Sequence, residues 1–167
     1  MIMKNDDPVV IREMERLIDE AVRNVAAGGG PFAAVVMRGE EVVGRGVNAV
    51  HASHDPTAHA EIVAIRAACE HLATHDLNDC RILTSCYPCP MCLGAILWSR
   101  IGSIFYAAST NAAASAGFDD DTFYRLLGVE AGASLPPSGI LTIAHLDLPN
   151  ARSPFDAWID TPEAPRY

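Results

Sequence analysis

The sequence predicts a single α/β domain in which a mixed β-sheet lies between helices. The chain has 167 residues, of which 50% are hydrophobic and 20% charged, and this balance suits one domain with a substantial core. Two apolar runs joined by a tight turn predict an opening hairpin. Helices and strands then alternate, which is typical of a sheet covered by helices. No internal repeat or low-complexity tract is visible, so residues 1–167 are expected to form one domain.

The first part of the chain predicts a helix followed by the hairpin. Asp7-Pro8 suits a helix cap and first turn, and apolar residues then recur at helical spacing as far as Val25. The glycines at 28–30 end this helix, for which we expect a structural role only. Residues 32–37 are a continuous apolar run that predicts a buried strand, and residues 41–47 predict its hairpin partner. Glycines in the second strand indicate a bulge or the close approach of another backbone.

The rest of the chain predicts alternating helices and strands. In order, these are a loop at 50–56, a helix from 57 or 58 to about 75, a strand at 81–85, a helix at 90–99, a strand at 103–108, a helix at 110–116, a short helix at 122–127, a loop at 132–139 and a strand at 140–146. The tail at 147–167 contains several prolines and three large apolar side chains, and no regular element is assigned to it.

Composition and charge argue against several classes of function. The formal net charge is −9 and no basic stripe is visible, which argues against a nucleic-acid partner. No apolar run approaches membrane-spanning length, and the first eight residues contain no apolar signal core. The five cysteines are an odd number, which argues against a disulfide framework. We therefore expect a cytoplasmic protein without a membrane partner.

Two closely spaced cysteines predict a metal site. Cys89 and Cys92 lie three positions apart, so on a helix their β-carbons are about 5–6 Å apart and both thiolates can bind one ion. Pro90 suits the first helical position, which places Cys89 near the helix cap, where the helix N-terminus favours thiolates. A Cys-x-x-Cys pair is also typical of redox pairs and of structural zinc sites with four protein ligands. Cys69 and Cys80 are too widely spaced to complete such a four-ligand site.

His59, thirty residues before Cys89, supplies a third ligand. Three protein ligands leave a fourth position for water, which is the arrangement of catalytic zinc sites. Glu61 lies at the same helix end and is a carboxylate outside the ligand set that can carry protons. Singly, His59 suits a core or surface histidine and Glu61 a helix-start charge. Together, His-x-Glu followed by Pro-Cys-x-x-Cys is the pattern of zinc deaminases. Ordinary buried side chains are expected at Cys69, Cys80 and Cys86.

Several segments resemble the cytidine deaminase-like superfamily and, within it, bacterial guanine deaminases. They are residues 30–32 (GPF), 55–61 (DPTAHAE), 84–96 (TSCYPCPMCLGAI), 116–120 (AGFDD) and 154–158 (PFDAW), together with the terminal Tyr167. The resemblance thus extends over nearly the whole chain. It implies a three-layer α/β/α fold with a five-stranded mixed sheet. It also implies one zinc ion per subunit, held by His59, Cys89 and Cys92, with Glu61 moving protons.

The same resemblance implies which residues bind the substrate. Phe32 would pack on a purine ring, while Asn48 and the backbone of Ala60 would form hydrogen bonds with it. Asp120 would accept hydrogen bonds from ring N–H groups. Without the resemblance, Phe32 suits core packing equally well, Asn48 a turn, and Asp120 a solvated turn.

The C-terminal tail is expected to contribute to the site. The resemblance implies a homodimer in which residues 147–167 cap the active site by exchange between subunits, so that Tyr167 closes the partner's pocket. Without it, a terminal tyrosine is more typical of a frayed chain end.

These features predict the hydrolytic deamination of a free amino-purine, with guanine converted to xanthine and ammonia. Glu61 would protonate the ring nitrogen beside the amino-bearing carbon and then the departing amine. Directly before Pro88-Cys89, however, the family usually carries Glu, and this chain carries Tyr87. A phenol supplies neither the negative charge nor the same acceptor.

Three alternatives therefore stay open. The first is a deaminase of another amino heterocycle or nucleoside: cytosine, isocytosine, a triazine, guanosine or cytidine. The second is a tRNA adenosine deaminase, which the negative net charge disfavours. The third is a structural zinc module without catalytic activity, which would require a fourth protein ligand.

Overall fold

A computed structural model describes residues 6–128 and 140–161. None of the helices within these ranges is long and apolar enough to cross a membrane. The elements in chain order are α1 (Pro8–Ala26), β1 (Ala33–Arg38), β2 (Glu41–Val47), α2 (Val50–Ser53), α3 (Ala60–Leu72), β3 (Cys80–Cys86), α4 (Pro90–Trp98), β4 (Ser103–Ala108), α5 (Thr110–Ser115), α6 (Asp121–Leu126), β5 (Thr142–His145) and α7 (Ser153–Ile159).

The strands form one mixed sheet in the order β2-β1-β3-β4-β5. Strand β1 is antiparallel to both β2 and β3, whereas β3, β4 and β5 are parallel. The predicted five-stranded mixed sheet and its opening hairpin are therefore confirmed.

The two faces of the sheet bury different helices because successive side chains of a strand point to opposite sides. On one face, Ala34 and Val36 of β1 belong to a buried cluster with residues of α3 and α4. On the other face, Val35 and Met37 belong to a second cluster, with Met14 and other residues of α1. Helix α7 packs on α1. These three layers match the predicted α/β/α architecture.

Most predicted elements are found within one or two residues of their expected bounds, but helix α3 begins later than predicted. The side chain of Asp55 accepts hydrogen bonds from the backbone N–H of Thr57 at 2.8 Å and from its hydroxyl at 2.7 Å. Such a side-chain turn holds residues 55–57 out of helical geometry. Helix α3 therefore starts at Ala60, and His59 is its N-cap residue rather than a member of its first turn.

Two helices lie where the sequence predicted none. The four-residue helix α2 lies within the expected loop at 50–56. Helix α7 lies in the tail and buries Pro154, Phe155 and Trp158. The sequence features that favour this helix are a proline suited to a first turn and apolar residues three positions apart. In a segment of only seven residues, these features are weak evidence for a helix. The loop predicted at 132–139 lies outside the described residues.

The glycines of β2 bring α3 unusually close to the sheet. A β-carbon at Gly46 would lie 2.3 Å from the carbonyl oxygen of Ala60, and one at Gly44 would lie 2.4 Å from that of Ala64. A bulge also interrupts the pairing of β1 with β2 here, because Val36 is opposite Gly44 and Met37 is opposite Val42. Both features indicated by these glycines are therefore present. The close approach sets the position of the first turn of α3.

Candidate active site

The topology of the sheet brings four chain segments to one edge. Phe32 precedes β1 and Asn48 follows β2, and the N–H of Asn48 donates to the carbonyl of Phe32 at 3.0 Å. Strands β3 and β4 end side by side, with Cys86 opposite Ala108. Because β1 is antiparallel to β3, the start of β1 lies at the end of β3. Residues far apart in sequence therefore meet at this edge.

His59, Cys89 and Cys92 lie together at this edge. Their potential ligand atoms all lie within 4.8 Å of one another, and His59 Nδ1 is 3.6 Å from each sulfur. A tetrahedral zinc ion with Zn–N bonds near 2.0–2.1 Å and Zn–S bonds near 2.3 Å requires about 3.6 Å between nitrogen and sulfur. The donor set and its spacing therefore fit zinc, with three protein ligands and room for a fourth, external one.

Two helix N-termini place the ligands. His59 is the N-cap residue of α3, and Cys89 is the N-cap residue of α4, followed by Pro90 in the first turn. Cys92 lies in the first turn of α4 and is fully buried. The positive ends of two helix dipoles favour negative charge on the thiols. This confirms the prediction that Cys89 lies at the start of a helix.

The two thiols influence each other's ionisation. A hydrogen bond from Cys92 lowers the pKa of Cys89 to about 4, and burial opposes this shift. The hydrogen bond to Cys89 and burial raise the pKa of Cys92. Burial lowers the pKa of His59, but its hydrogen bond with Cys89 and the negative charges of Cys89, Glu61 and Asp120 together outweigh this effect, so the net shift is upward. A divalent cation is what would allow both thiols to ionise.

Glu61 is a buried carboxyl group beside these ligands. Its side chain is in the first turn of α3, and the residue is only 8% exposed. Burial, followed by the charge of Cys89, raises the pKa of Glu61 to about 7. A carboxyl group with a pKa near neutrality can both accept and donate a proton.

A cavity of about 940 Å³ opens over the site. Its lining includes Phe32, Asn48, His59, Glu61, Cys89 and Asp120. Ala60 is buried between His59 and Glu61, and its N–H belongs to the first turn of α3, whose donors find no partner within the helix. Tyr167 lies outside the described residues.

An aromatic wall surrounds Phe32. Its ring packs edge-on against Phe118, with centroids 4.9 Å apart, and against Phe155, with centroids 5.6 Å apart. Phe118 in turn packs against Trp158, so α7 of the tail supports the wall from within the same chain. Phe32 therefore contributes to packing and also lines the cavity.

Asp120 is the N-cap residue of the short helix α6 and is half-buried. Burial, followed by the charge of Cys89, raises the pKa of Asp120 to about 6. This carboxyl group lines the cavity rather than standing in solvent as a surface turn residue does.

Tyr87 lies in a cluster of aromatic residues on the cavity wall. It is 6% exposed, and its ring packs edge-on against Tyr106 with centroids 5.0 Å apart. Burial raises the pKa of Tyr87, so the phenol stays neutral. The side chain at this position therefore gives the wall an aromatic surface without charge.

Of the three remaining cysteines, two are buried as predicted. All five are free of disulfides, and Cys80 and Cys86 are buried, whereas Cys69 is partly buried. The thiol of Cys86 lies 3.6 Å from the carbonyl oxygen of Ser109. Burial raises the pKa of Cys86, so this thiol stays neutral although it lines the cavity.

Tyr124 is a candidate support for the zinc loop that the sequence did not identify. The residue is fully buried on α6, and its hydroxyl donates to the carbonyl of Pro88 at 2.5 Å. Pro88 immediately precedes Cys89, and the N–H of Tyr124 donates to the carbonyl of Asp120 at 3.2 Å. Tyr124 thus joins the segment of Asp120 to the segment of Cys89.

Tyr124→Phe is expected to weaken zinc binding by about 10-fold, because outer hydrogen bonds orient the ligands of a metal. The measurement is the zinc dissociation constant, obtained by competition with a chelator. Tyr106→Phe is the matched control, since it removes a hydroxyl from the same aromatic cluster without touching Pro88. Equal zinc affinity in Tyr124→Phe and the wild type would contradict this role.

Comparisons with known proteins agree with these features. Residues 10–108, more than half of the chain, match the model of the cytidine and deoxycytidylate deaminase zinc-binding region. Guanine deaminase of Bacillus subtilis is 46% identical over 147 residues, covering 87% of this chain and 90% of that protein. A crystal structure of guanine deaminase from the same species aligns with a TM-score of 0.68 at 42% identity, covering 92% of this chain and 96% of that one.

Two further similarities bear on the substrate. The structure of the protein NE0047 in complex with 2,6-diaminopurine aligns with a TM-score of 0.75 at 28% identity, covering 92% of this chain and 83% of that one. The tRNA-specific adenosine deaminase of Aquifex aeolicus is 37% identical over 89 residues, which covers only 53% of this chain and 59% of that protein. Similarity over most of the chain is thus found with proteins that act on or bind free purines.

Proposed function

This chain belongs to the zinc-binding cytidine and deoxycytidylate deaminase family, and we propose that it hydrolyses guanine to xanthine and ammonia. It is a zinc-dependent aminohydrolase. The observation that carries the proposal is the 46% identity to a guanine deaminase across 87% of the chain. The cavity beside the predicted zinc ligands is the place where such a reaction would occur.

His59, Cys89 and Cys92 would hold the zinc ion. Bound zinc would lower the pKa of a coordinated water, which is the chemistry that the metal supplies. Glu61 would accept a proton from the attacking water and deliver it to the ring nitrogen beside the amino-bearing carbon. Glu61 would then take the second proton from the hydroxyl added to that carbon and deliver it to the amino group, which would leave as ammonia as the carbonyl of xanthine forms. The raised pKa of Glu61 is consistent with both transfers.

The cavity wall would recognise the base by shape and by hydrogen bonds. Guanine offers donors at its amino group and ring N–H and acceptors at O6 and N7. Asp120 would accept from ring N–H groups, while the amide of Asn48 can both donate and accept. The N–H of Ala60 would donate to the ring. Phe32 would cover one face of the base, since an aromatic ring stacks on any base.

One feature favours a second candidate, the deamination of a different amino ring. Tyr87 lines the cavity with an uncharged aromatic surface. Cytosine, isocytosine, a triazine, guanosine and cytidine are therefore the alternatives to guanine. The tRNA alternative is less well supported, because the similarity to tRNA deaminases covers about half of the chain.

The test is a substrate panel with the zinc-loaded enzyme. Ammonia release is measured for guanine and for each alternative, and values of kcat/KM are compared. We expect guanine to exceed every other compound by at least about 10-fold, because a site built to bind the polar groups of one base leaves them without partners in another. A higher kcat/KM for any other member of the panel would reject guanine. Strong salt-sensitive binding of tRNA would instead revive the RNA alternative.

Assembly and location remain predictions. We propose a homodimer in the cytoplasm whose C-terminal tail caps the site, with Tyr167 at the pocket of the partner subunit. The described part of the tail, residues 147–161, packs on the body of its own chain through Phe155 and Trp158. A capping role would therefore fall to the residues beyond 161.

A further inference from the structure

Asn24 makes two hydrogen bonds that its position on α1 did not predict. Asn24 lies near the end of the helix. It is not one of the described residues that line the cavity. Its side-chain nitrogen donates to the carbonyl of Gly30 at 2.7 Å and to the carbonyl of Asn48 at 2.9 Å. A side-chain amide has two donor hydrogens, and both are used here.

The carbonyl of Gly30 lies close to Phe32 in the chain and the other carbonyl belongs to Asn48, and Phe32 and Asn48 are the part of the cavity wall proposed to bind the base. The N–H of Phe32 donates to the carbonyl of Gly30 at 2.8 Å, and the N–H of Asn48 donates to the carbonyl of Phe32 at 3.0 Å. Asn24, Gly30, Phe32 and Asn48 therefore form a closed ring of hydrogen bonds. The ring fixes the start of β1 relative to the end of β2.

Close packing leaves this ring little freedom. A β-carbon at Gly30 would lie 2.9 Å from the side chain of Asn48, and one at Gly29 would lie 2.4 Å from the side chain of Asn24. Asn48 itself is only 4% exposed. The side chains of Asn24 and Asn48 thus occupy space that only glycines at positions 29 and 30 leave open.

We propose that Asn24 is a positioning residue that sets the geometry of Phe32 and Asn48 for substrate binding. It acts through the carbonyls of Gly30 and Asn48 and does not touch the substrate. Its hydrogen bonds do not end at carbonyls of α1, so a role as a simple helix cap does not account for them. The inference rests on the proposed function, because it takes Phe32 and Asn48 as the binding wall.

The zinc ligands do not take part in this ring of hydrogen bonds. They lie on α3 and α4 or at their N-termini, whereas the ring joins α1, β1 and β2. Loss of the ring should therefore change substrate binding more than zinc binding. This separation distinguishes positioning of the binding wall from general destabilisation of the site.

The test compares Asn24→Ala with the wild type in the zinc-loaded enzyme, using the best substrate of the panel. We expect KM to rise by about 10-fold or more while kcat and zinc affinity change little, because losing an interaction shared by the bound substrate and the transition state raises KM alone. Arg23→Ala is the matched control, because it removes an exposed side chain from the same turn of α1 and should leave KM unchanged.

Gly30→Ala provides an independent perturbation of the same ring. It keeps the side chain of Asn24 but pushes on that of Asn48, so KM should rise again. If both variants keep KM within twofold of the wild type, or if kcat or zinc affinity falls while KM does not rise, the positioning role is overturned. If Asn24→Ala does not fold, Asn24→Asp replaces it, because aspartate keeps the shape of the side chain and removes both donors to the carbonyls of Gly30 and Asn48.

A further measurement distinguishes failure of the proposed function from failure of the positioning role. If the wild type deaminates no member of the panel, guanine deamination is rejected, and Asn24→Ala is then compared with the wild type for binding of 8-azaguanine. About 10-fold weaker binding of this base by the variant would still support the positioning role. Equal binding by both proteins, or no binding by the wild type, would overturn it.

Discussion

Glu61→Gln is expected to lower kcat for guanine by about 10²- to 10⁴-fold while zinc stays bound. Proton transfer by a positioned side chain contributes a rate effect of this size, and glutamine keeps the shape of glutamate without its proton chemistry. Glu61 is buried in the cavity with a pKa raised to about 7, so no solvent-exposed group is expected to substitute for it easily. The measurements are steady-state ammonia release and metal content of the purified variant.

Two comparisons make this prediction specific. Glu70→Gln makes the same chemical change at an exposed position of the same helix, and it should leave kcat unchanged. Glu61→Ala should still bind zinc, because Glu61 is not among the predicted ligands. Full turnover by Glu61→Gln would reject the mechanism, and loss of zinc from Glu61→Ala would reject the ligand assignment.

Gly46→Ala is expected to destabilise the protein and to weaken zinc binding together. The new methyl group would lie 2.3 Å from the carbonyl oxygen of Ala60 and 2.6 Å from the nitrogen of Ala64, both of which belong to the backbone of α3. Overpacking of this kind costs about 1–3 kcal/mol. Because a backbone cannot rotate away as a side chain can, α3 must shift. His59 and Glu61 lie at its start and would move with it.

The free energy of unfolding is measured by denaturant titration, and zinc affinity by chelator competition. Gly94→Ala is the control: a β-carbon there meets no atom within 4 Å, and alanine is favoured over glycine within a helix such as α4. This variant should be as stable as the wild type or more stable. Unchanged stability and zinc affinity in Gly46→Ala would show that α3 can move from β2 at little cost.

Strong local sequence patterns were sufficient to predict most of the secondary structure. Helix α1, strand β2 and strand β4 are found at or within about a residue of their predicted bounds, because long amphipathic periods and apolar runs between turn residues are local properties of the chain. Helix α7 was missed because seven residues carry little intrinsic helical stability. It is the burial of Phe155 and Trp158 that stabilises this helix.

The sequence by itself was sufficient to predict the chemistry of this protein. The spacing of Cys89 and Cys92 predicts one face of a helix, and His-x-Glu adds a predicted third ligand and a predicted proton carrier. Spacing along a single helix is a local property that predicts the cysteine pair, and the joint pattern with His59 and Glu61 was sufficient to predict a zinc site. The type of fold also followed, because the alternation of helices and strands restricts the arrangements of a sheet.

Only the tertiary structure decided how that chemistry is held in place. Asn24 and Tyr124 act through carbonyls of residues 24 and 36 positions away, at Asn48 and Pro88, and no local pattern reports such pairs. The approach of Gly46 to Ala60 likewise depends on packing a helix against a strand. Hydrogen bonds and contacts between distant segments exist only once the sheet has brought its strand ends together, and this is why the sequence named the reacting groups but not their supports.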